Sequence, residues 1–429
     1  MMGTTVETPI LLLILILTLL FIIWACKMAP RLEVKVFIIV TGLSIFIYSG
    51  YGISYKEVKD MYIIKYVFAL FFLYLPLLLL KKSSFSIKKQ TSLDLFFESH
   101  GHLLKRLTLL YFIIVVMPML YPRFRLFDVF SRGITIEDRY EYLNAVATDT
   151  IARICSMMAT FIYPFFLANL VHIRFHRPKS VLPVVLFVLD ICLGIMDACY
   201  IGRGGMIYSF VLLFFLWFCI KDGAFILTRM QITTLLVLAV CSLPLMYTYT
   251  YIRQGLSHDS MPFSVTVDLL FKSETDCPTY YDHILLSNDL KNQTPFSFLL
   301  WLVSLPIPSL IWPGKPSLAN DAFTYSITGL HRTDIGYSSL VPSFLGEGFM
   351  YFGHQYYWLY AFIVGLILLL ILRYLLKNRY LLFFALYLSV YSFSIGRAGA
   401  TAVIPSFING TLAVFLLDFL FIRRSKDLS

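Results

Sequence analysis

Long apolar runs, one after another, constrain this chain more than anything else in it. Read for stretches able to cross about 30 Å of hydrocarbon, the 429 residues give about eleven: Pro9–Cys26, Val34–Gly50, Met61–Leu80, Leu107–Tyr121, Ile151–Val171, Val181–Tyr200, Gly205–Ile220, Ile232–Tyr251, Tyr356–Leu372, Tyr380–Ile395 and Val403–Ile422. With 59% hydrophobic and only 14% charged residues, the composition lies outside the soluble globular range. The expected fold is therefore an all-α integral membrane protein of about eleven transmembrane helices. The first run has no basic flank before it and no small-residue cleavage site after it, so it reads as a retained helix.

Lysine and arginine in the connections set the orientation. Lys27, Arg31 and Lys35 follow the first run; Lys81, Lys82, Lys88, Lys89, Lys105 and Arg106 lie between the third and fourth; Arg174, Arg177 and Lys179 follow the fifth. Lys221 and Arg229 follow the seventh, Arg373, Lys377 and Arg379 the ninth, and Arg423, Arg424 and Lys426 come after the last. These are alternate connections, so they share one face, the cytoplasmic one, with the N-terminus outside and the C-terminus inside. The net charge of +10 then follows from this bias and from attraction to anionic membrane lipids, with no nucleic acid required. Of the seven cysteines only Cys277 falls in a sizeable loop, and no disulfide framework or metal-ligand spacing appears.

Cytoplasmic connections are short, and none holds a Gly-rich phosphate loop. This argues against a motor, a kinase or a transferase fed by a cytosolic nucleotide sugar. Outside, one loop runs from Arg253 to Gln355, and a loop on the order of a hundred residues is usually functional. The domain organisation expected is residues 1–252 as helices one to eight, 253–355 as this outer loop, and 356–429 as helices nine to eleven with a tail. Inside the loop, the apolar segment at 295–312 is followed or interrupted by Pro306, Pro308 and Pro313 and reads as re-entrant or interfacial. A second outer loop covers Pro122–Thr150.

Three outer arginines draw attention because the orientation signal disfavours them there. Arg203 sits in Ile-Gly-Arg-Gly-Gly, Arg253 follows the Tyr-rich end of the eighth run, and Arg397 sits in Gly-Arg-Ala-Gly between the last two runs. A guanidinium is a planar donor fork suited to phosphate, and glycine neighbours let the backbone approach a ligand. Together the three point to a diphosphate site; singly, each is equally a lipid-phosphate anchor. Asp190 falls near mid-membrane, where it serves either a proton relay or a hydrogen bond to a neighbouring helix, and Asp197, one heptad on, is placed to pair with or orient Arg203. Lys65 and Asp418 lie near helix ends and read as snorkelling.

Before the ninth run the loop reads Pro-Ser-Phe-Leu-Gly-Glu-Gly-Phe-Met-Tyr-Phe-Gly-His, with Glu347 between glycines and His354 at the membrane edge. Either suits removal of a proton from a sugar hydroxyl; either also suits a capping or packing role. Lys315, Asp321, His331, Arg332 and Asp334 add polar groups, with Lys315 and Arg332 further candidates for substrate binding. Trp301, Trp312, Tyr325, Tyr337 and Tyr351 are placed to stack on sugar rings or to form an interfacial belt.

The arginine turn Arg203-Gly204-Gly205, Trp312–Pro316 as Trp-Pro-Gly-Lys-Pro, Pro342-Ser343, Gly346-Glu347 and Tyr351-Phe352-Gly353 late in one long outer loop together resemble the O-antigen polymerase family, the oligosaccharide repeat-unit polymerases. That resemblance implies a metal-independent, inverting glycosyltransferase of the lipid-sugar (GT-C-like) class. Its substrates would be undecaprenyl-diphosphate-linked glycans at the outer face of the bacterial plasma membrane. Its partners would be a chain-length regulator and a flippase, with no cofactor. On this expectation Arg203, Arg253 and Arg397 surround the diphosphate, and Glu347 or His354 is the general base. The alternatives are an O-antigen ligase using the same donor and a lipid-linked oligosaccharide flippase or other transporter. A membrane acyltransferase is disfavoured because no histidine lies within the eleven runs.

Overall fold

The structure is a computed structural model that describes residues 8–29, 31–51, 61–80, 93–120, 150–198, 277–305, 319–331, 339–377 and 381–417, with isolated positions at 53, 211–212, 220–221, 224–225, 230, 307, 312, 314, 316 and 334. The described elements are helical apart from a two-residue antiparallel pair, β1 Ile220–Lys221 and β2 Ala224–Phe225. Among the described residues three helices are long and apolar enough to cross a membrane: Leu32–Tyr51, Met61–Leu79 and Ser343–Leu375. This is a membrane protein of all-helical type. Contacts divide the chain into two units, each taken by itself here.

The first unit comprises Met1–Ser86, Leu243–Lys377 and Leu388–Thr411. Its N-terminal helices are α1 (Thr8–Met28), α2 (Leu32–Ile45), which runs into a π-helical turn over Phe46–Tyr51, and α3 (Met61–Tyr74), prolonged by Pro76–Leu79. Apolar helices with no soluble face are joined here through hydroxyls, as expected where hydrocarbon supplies no hydrophobic drive between helices. Thr18 of α1 shares a 2.7 Å hydrogen bond with Tyr66 of α3, and Thr41 of α2 shares one of 2.8 Å with Tyr74.

Beyond them come the short α7 (Tyr281–Leu286), α8 (Pro295–Ser304) and α9 (Ala319–Thr328), then α10 (Ser343–Leu375). α8 starts where its sequence says it should. Pro295 occupies the first turn, and Thr294 and Ser297 cap each other reciprocally, at 3.2 Å from the Ser297 amide and 2.8 Å from the Thr294 amide. Phe298 and Trp301 are buried, whereas Phe296 and Val303 are 72% and 68% exposed. A helix apolar on both faces suits a lipid boundary better than water.

The greatest departure from expectation is α10. The sequence placed the start of the ninth span at Tyr356, with Glu347 in a loop; instead helix begins at Ser343 and is broken at Gly353, whose φ of 68° and ψ of −175° are non-helical. In an unbroken helix residues 347 and 360 would stand roughly 20 Å apart. Yet the Tyr360 hydroxyl donates to Glu347, and the Phe344 and Tyr360 ring centroids are 5.5 Å apart. The arms 343–352 and 354–375 therefore fold back on each other as a helical hairpin, with Phe349 against Tyr357 at 5.3 Å. The first arm is buried along its whole length and, at about 15 Å, is half a bilayer core; the second, at about 33 Å, spans one alone.

α12 (Ser394–Ala398) and α13 (Ala400–Leu417) complete the unit, separated by Gly399. The second unit comprises Ile87–Ser242, Asn378–Tyr387 and Leu412–Ser429. In it α4 (Leu93–Leu120) and α5 (Thr150–His176) pack along one another, with α6 (Leu182–Ala198) beside them. Asp190 of α6 is buried and accepts the Tyr111 hydroxyl of α4 at 2.6 Å and that of Tyr163 of α5. Of its two readings, the hydrogen-bonded carboxyl is the one seen. α11 (Leu382–Tyr391) runs through the boundary between the two segments.

Candidate functional site

Of the residues singled out in the sequence, Arg203, Arg253, Arg332 and Lys315 lie outside the described residues, and of Asp197 only its place in α6 is described. Glu347, His354 and Arg397 are described. The structure brings Glu347 and the Arg397 turn together; His354 stands at the other end of the first arm of α10, exposed beside the Gly353 hinge.

Glu347 is fully buried. Burying a carboxylate costs several kcal/mol unless donors replace its water, and here four do. Ala400 N–H donates at 2.7 Å and Thr401 N–H at 3.3 Å, and the hydroxyls of Tyr360 and Thr401 donate as well. Three of these donors converge on Oε2 and one, the Thr401 hydroxyl, on Oε1. Two of them are the first amides of α13, an 18-residue helix, whose dipole also favours a negative charge at that end. Glu347 is thus the N-terminal cap of a helix 53 residues further along the chain. Of the roles open to it, the capping one is what the geometry displays, and no exposed surface is left on it for a sugar hydroxyl.

That cap immobilises the turn carrying Arg397. Gly399 has φ 76°, and a Cβ there would fall on the Glu347 carboxylate, so both conformation and space require glycine. From the other side Ser44 of α2 donates to the Phe393 carbonyl and accepts the Gly396 N–H at 3.0 Å. Arg397 itself is exposed, on a backbone held at Gly396 by α2 and at Ala400 by the first arm of α10. A guanidinium on so fixed a base meets an anion at little further ordering cost.

The first arm is anchored at its beginning too. Ser343 is the one non-glycine residue with positive φ among those described, at 67°. Its hydroxyl accepts the Gly346 N–H at 3.3 Å, which makes Ser343 the working cap of the arm, and it lies 3.0 Å from the Tyr281 hydroxyl and 3.5 Å from that of Ser49. Strain of about 1–3 kcal/mol at such a residue persists only where surroundings over-determine it, and three hydroxyls and a buried ring do so here. Burial also raises the pKa of the Tyr281 phenol, which keeps it a neutral donor.

Sequence reasoning misjudged Lys65. In place of snorkelling, it is 7% exposed and donates to the His354 carbonyl at 3.1 Å. Its ammonium lies 5.0 Å from the ring centre of Phe349, 5.4 Å from that of Tyr357 and 5.8 Å from that of Tyr62. Two of these rings come from α10, almost three hundred residues away in the chain, so nothing local marked them. Tyr62 in turn donates to Asp282 at 2.6 Å, a carboxylate that no sequence pattern singled out. Among the described residues no group of three or more His, Cys, Asp or Glu side chains is arranged to hold a metal ion. Compared with known proteins, the chain matches no family model, no curated protein and no solved structure.

Proposed function

We propose that this chain is a glycosyltransferase of the lipid-sugar (GT-C-like) class, with about eleven spans in the bacterial plasma membrane. In this reading it joins undecaprenyl-diphosphate-linked repeat units into an O-antigen or capsule-like polysaccharide at the outer face. The observation that carries this reading is the Arg397 turn: an exposed guanidinium on a backbone fixed at both ends by buried hydrogen bonds. Such preorganised cations stabilise the charge that gathers on a leaving group. In the step envisaged, the hydroxyl of the incoming unit attacks the anomeric carbon of the growing chain. The bond from that carbon to the diphosphate breaks, and the diphosphate departs with the electron pair, held by Arg397 together with Arg203 and Arg253. The hydroxyl proton passes to a base. With Glu347 engaged as a helix cap, that role falls to His354, exposed at the membrane edge. Lys315 and Arg332 remain proposed binders of the glycan, and Asp197 of Arg203.

Arg397→Ala should leave the protein inserted and folded and abolish chain elongation; a normal polymer ladder on a gel refutes the role. Removing the whole protein separates the sister activities. Single capped repeats on the surface mean a polymerase, a bare lipid core means a ligase, and cytoplasmic build-up of intermediates means a flippase. The last reading has its own support, because two apolar helices broken at Gly353 and Gly399 and tied together by a buried carboxylate are a device that transporters use around a midplane site.

A further inference from the structure

An ammonium in a membrane-spanning helix is costly and, where retained, marks a ligand or ion path. Lys65 is the fifth residue of α3 and is more than nine-tenths buried. Among the described residues its one hydrogen-bond acceptor is the His354 carbonyl, and the one ion pair is Arg31–Glu33, elsewhere. An ammonium has three donors. The rings of Phe349, Tyr357 and Tyr62 offset part of its charge but accept no conventional hydrogen bond. His354, whose carbonyl it holds, has its side chain exposed at the same hinge. Among the described residues this cation has donors to spare and no carboxylate on it.

We infer that Lys65, with His354 at its rim, binds a phosphate group at the Gly353 hinge, a site separate from that of Arg397. The ligand class is a phosphate or diphosphate ester, from a lipid headgroup or a soluble molecule. The inference does not rest on the glycosyl-transfer reading.

The test uses the full chain in detergent or nanodiscs, with inorganic pyrophosphate as probe and binding followed by calorimetry. Lys65→Met should weaken binding roughly tenfold to a hundredfold, the worth of a charged hydrogen bond. Lys65→Arg should retain most of it, and Lys65→Met should cause the same loss in an Arg397→Ala background, where the other proposed diphosphate site is removed. Unaltered binding by a folded Lys65→Met protein overturns the inference. Should that variant fail to fold, wild-type protein is treated with an amine-acetylating reagent, and the Lys65 peptide is read by mass spectrometry. Protection by pyrophosphate supports the site; modification without protection, or no modification with or without probe, overturns it. Nanodiscs doped with phosphatidylglycerol that displace pyrophosphate assign the site to a lipid headgroup, and doped nanodiscs that leave pyrophosphate binding intact assign it to a soluble phosphate.

Discussion

At the scale of single residues, Glu347 illustrates how a carboxylate's surroundings set its role. Four donors and no exposed surface make it the group that orders a helix start. Glu347→Gln keeps the shape but replaces one acceptor oxygen with an amide that turns its own N–H groups toward donors. A loss of about 1–3 kcal/mol is expected, read as a lowered thermal midpoint of the purified protein, with Glu347→Ala worse. An unshifted midpoint sinks the capping assignment. The sequence offered capping and general base as equal readings because the amides of Ala400 and Thr401 lie 53 and 54 positions away. Long-range caps leave no local mark. Lys65 was misjudged for the same reason: snorkelling is inferred from nearness to a helix end, whereas its rings come from a distant hairpin.

Among the elements, the apolar runs were legible and the breaks within them were not. Hydropathy places α1, the α2 segment and α3 within a few residues of the expected spans, since length and composition alone decide those. It cannot see that Gly353, inside Tyr-Phe-Gly-His, reverses the chain, because aromatic residues on both sides satisfy any apolar window. The two breaks should respond differently to the same change. At Gly353 an added Cβ meets nothing within 4 Å, so Gly353→Ala bears only the cost of a backbone conformation, φ 68° and ψ −175°, open essentially to glycine, about 1–3 kcal/mol. At Gly399 the Cβ also strikes the Glu347 carboxylate, so Gly399→Ala must in addition displace the α13 cap. Thermal unfolding should rank Gly399→Ala clearly below Gly353→Ala, and the reverse order excludes the hairpin geometry given for Glu347.

For the molecule as a whole, the contacts of the first unit bear on sidedness. Arg31, at the start of α2, donates to the Leu376 carbonyl at the end of α10, at 3.3 Å. The start of α2 and the end of α10, whose last turn carries Arg373, thus meet at one end of this unit. At the far end of α2, Ser44 holds the Arg397 turn while Ser49 meets Tyr281 and Ser343. Ser44 and Ser49 lie 13 and 18 residues along the helix from Arg31, so about 20–27 Å separate the two groups. The first arm of α10, ten residues and about 15 Å long, is too short to cross a bilayer core alone, and Tyr281, eight residues before Asp289, meets Ser49 toward the Arg397 end of the α2 segment. A reporter fused after Asp289 should therefore read external and one fused after Lys377 cytoplasmic. Two like readings would mean that the arm crosses, and a cytoplasmic reading after Asp289 alone would move Arg397, and with it the proposed donor site, to the wrong face of the membrane.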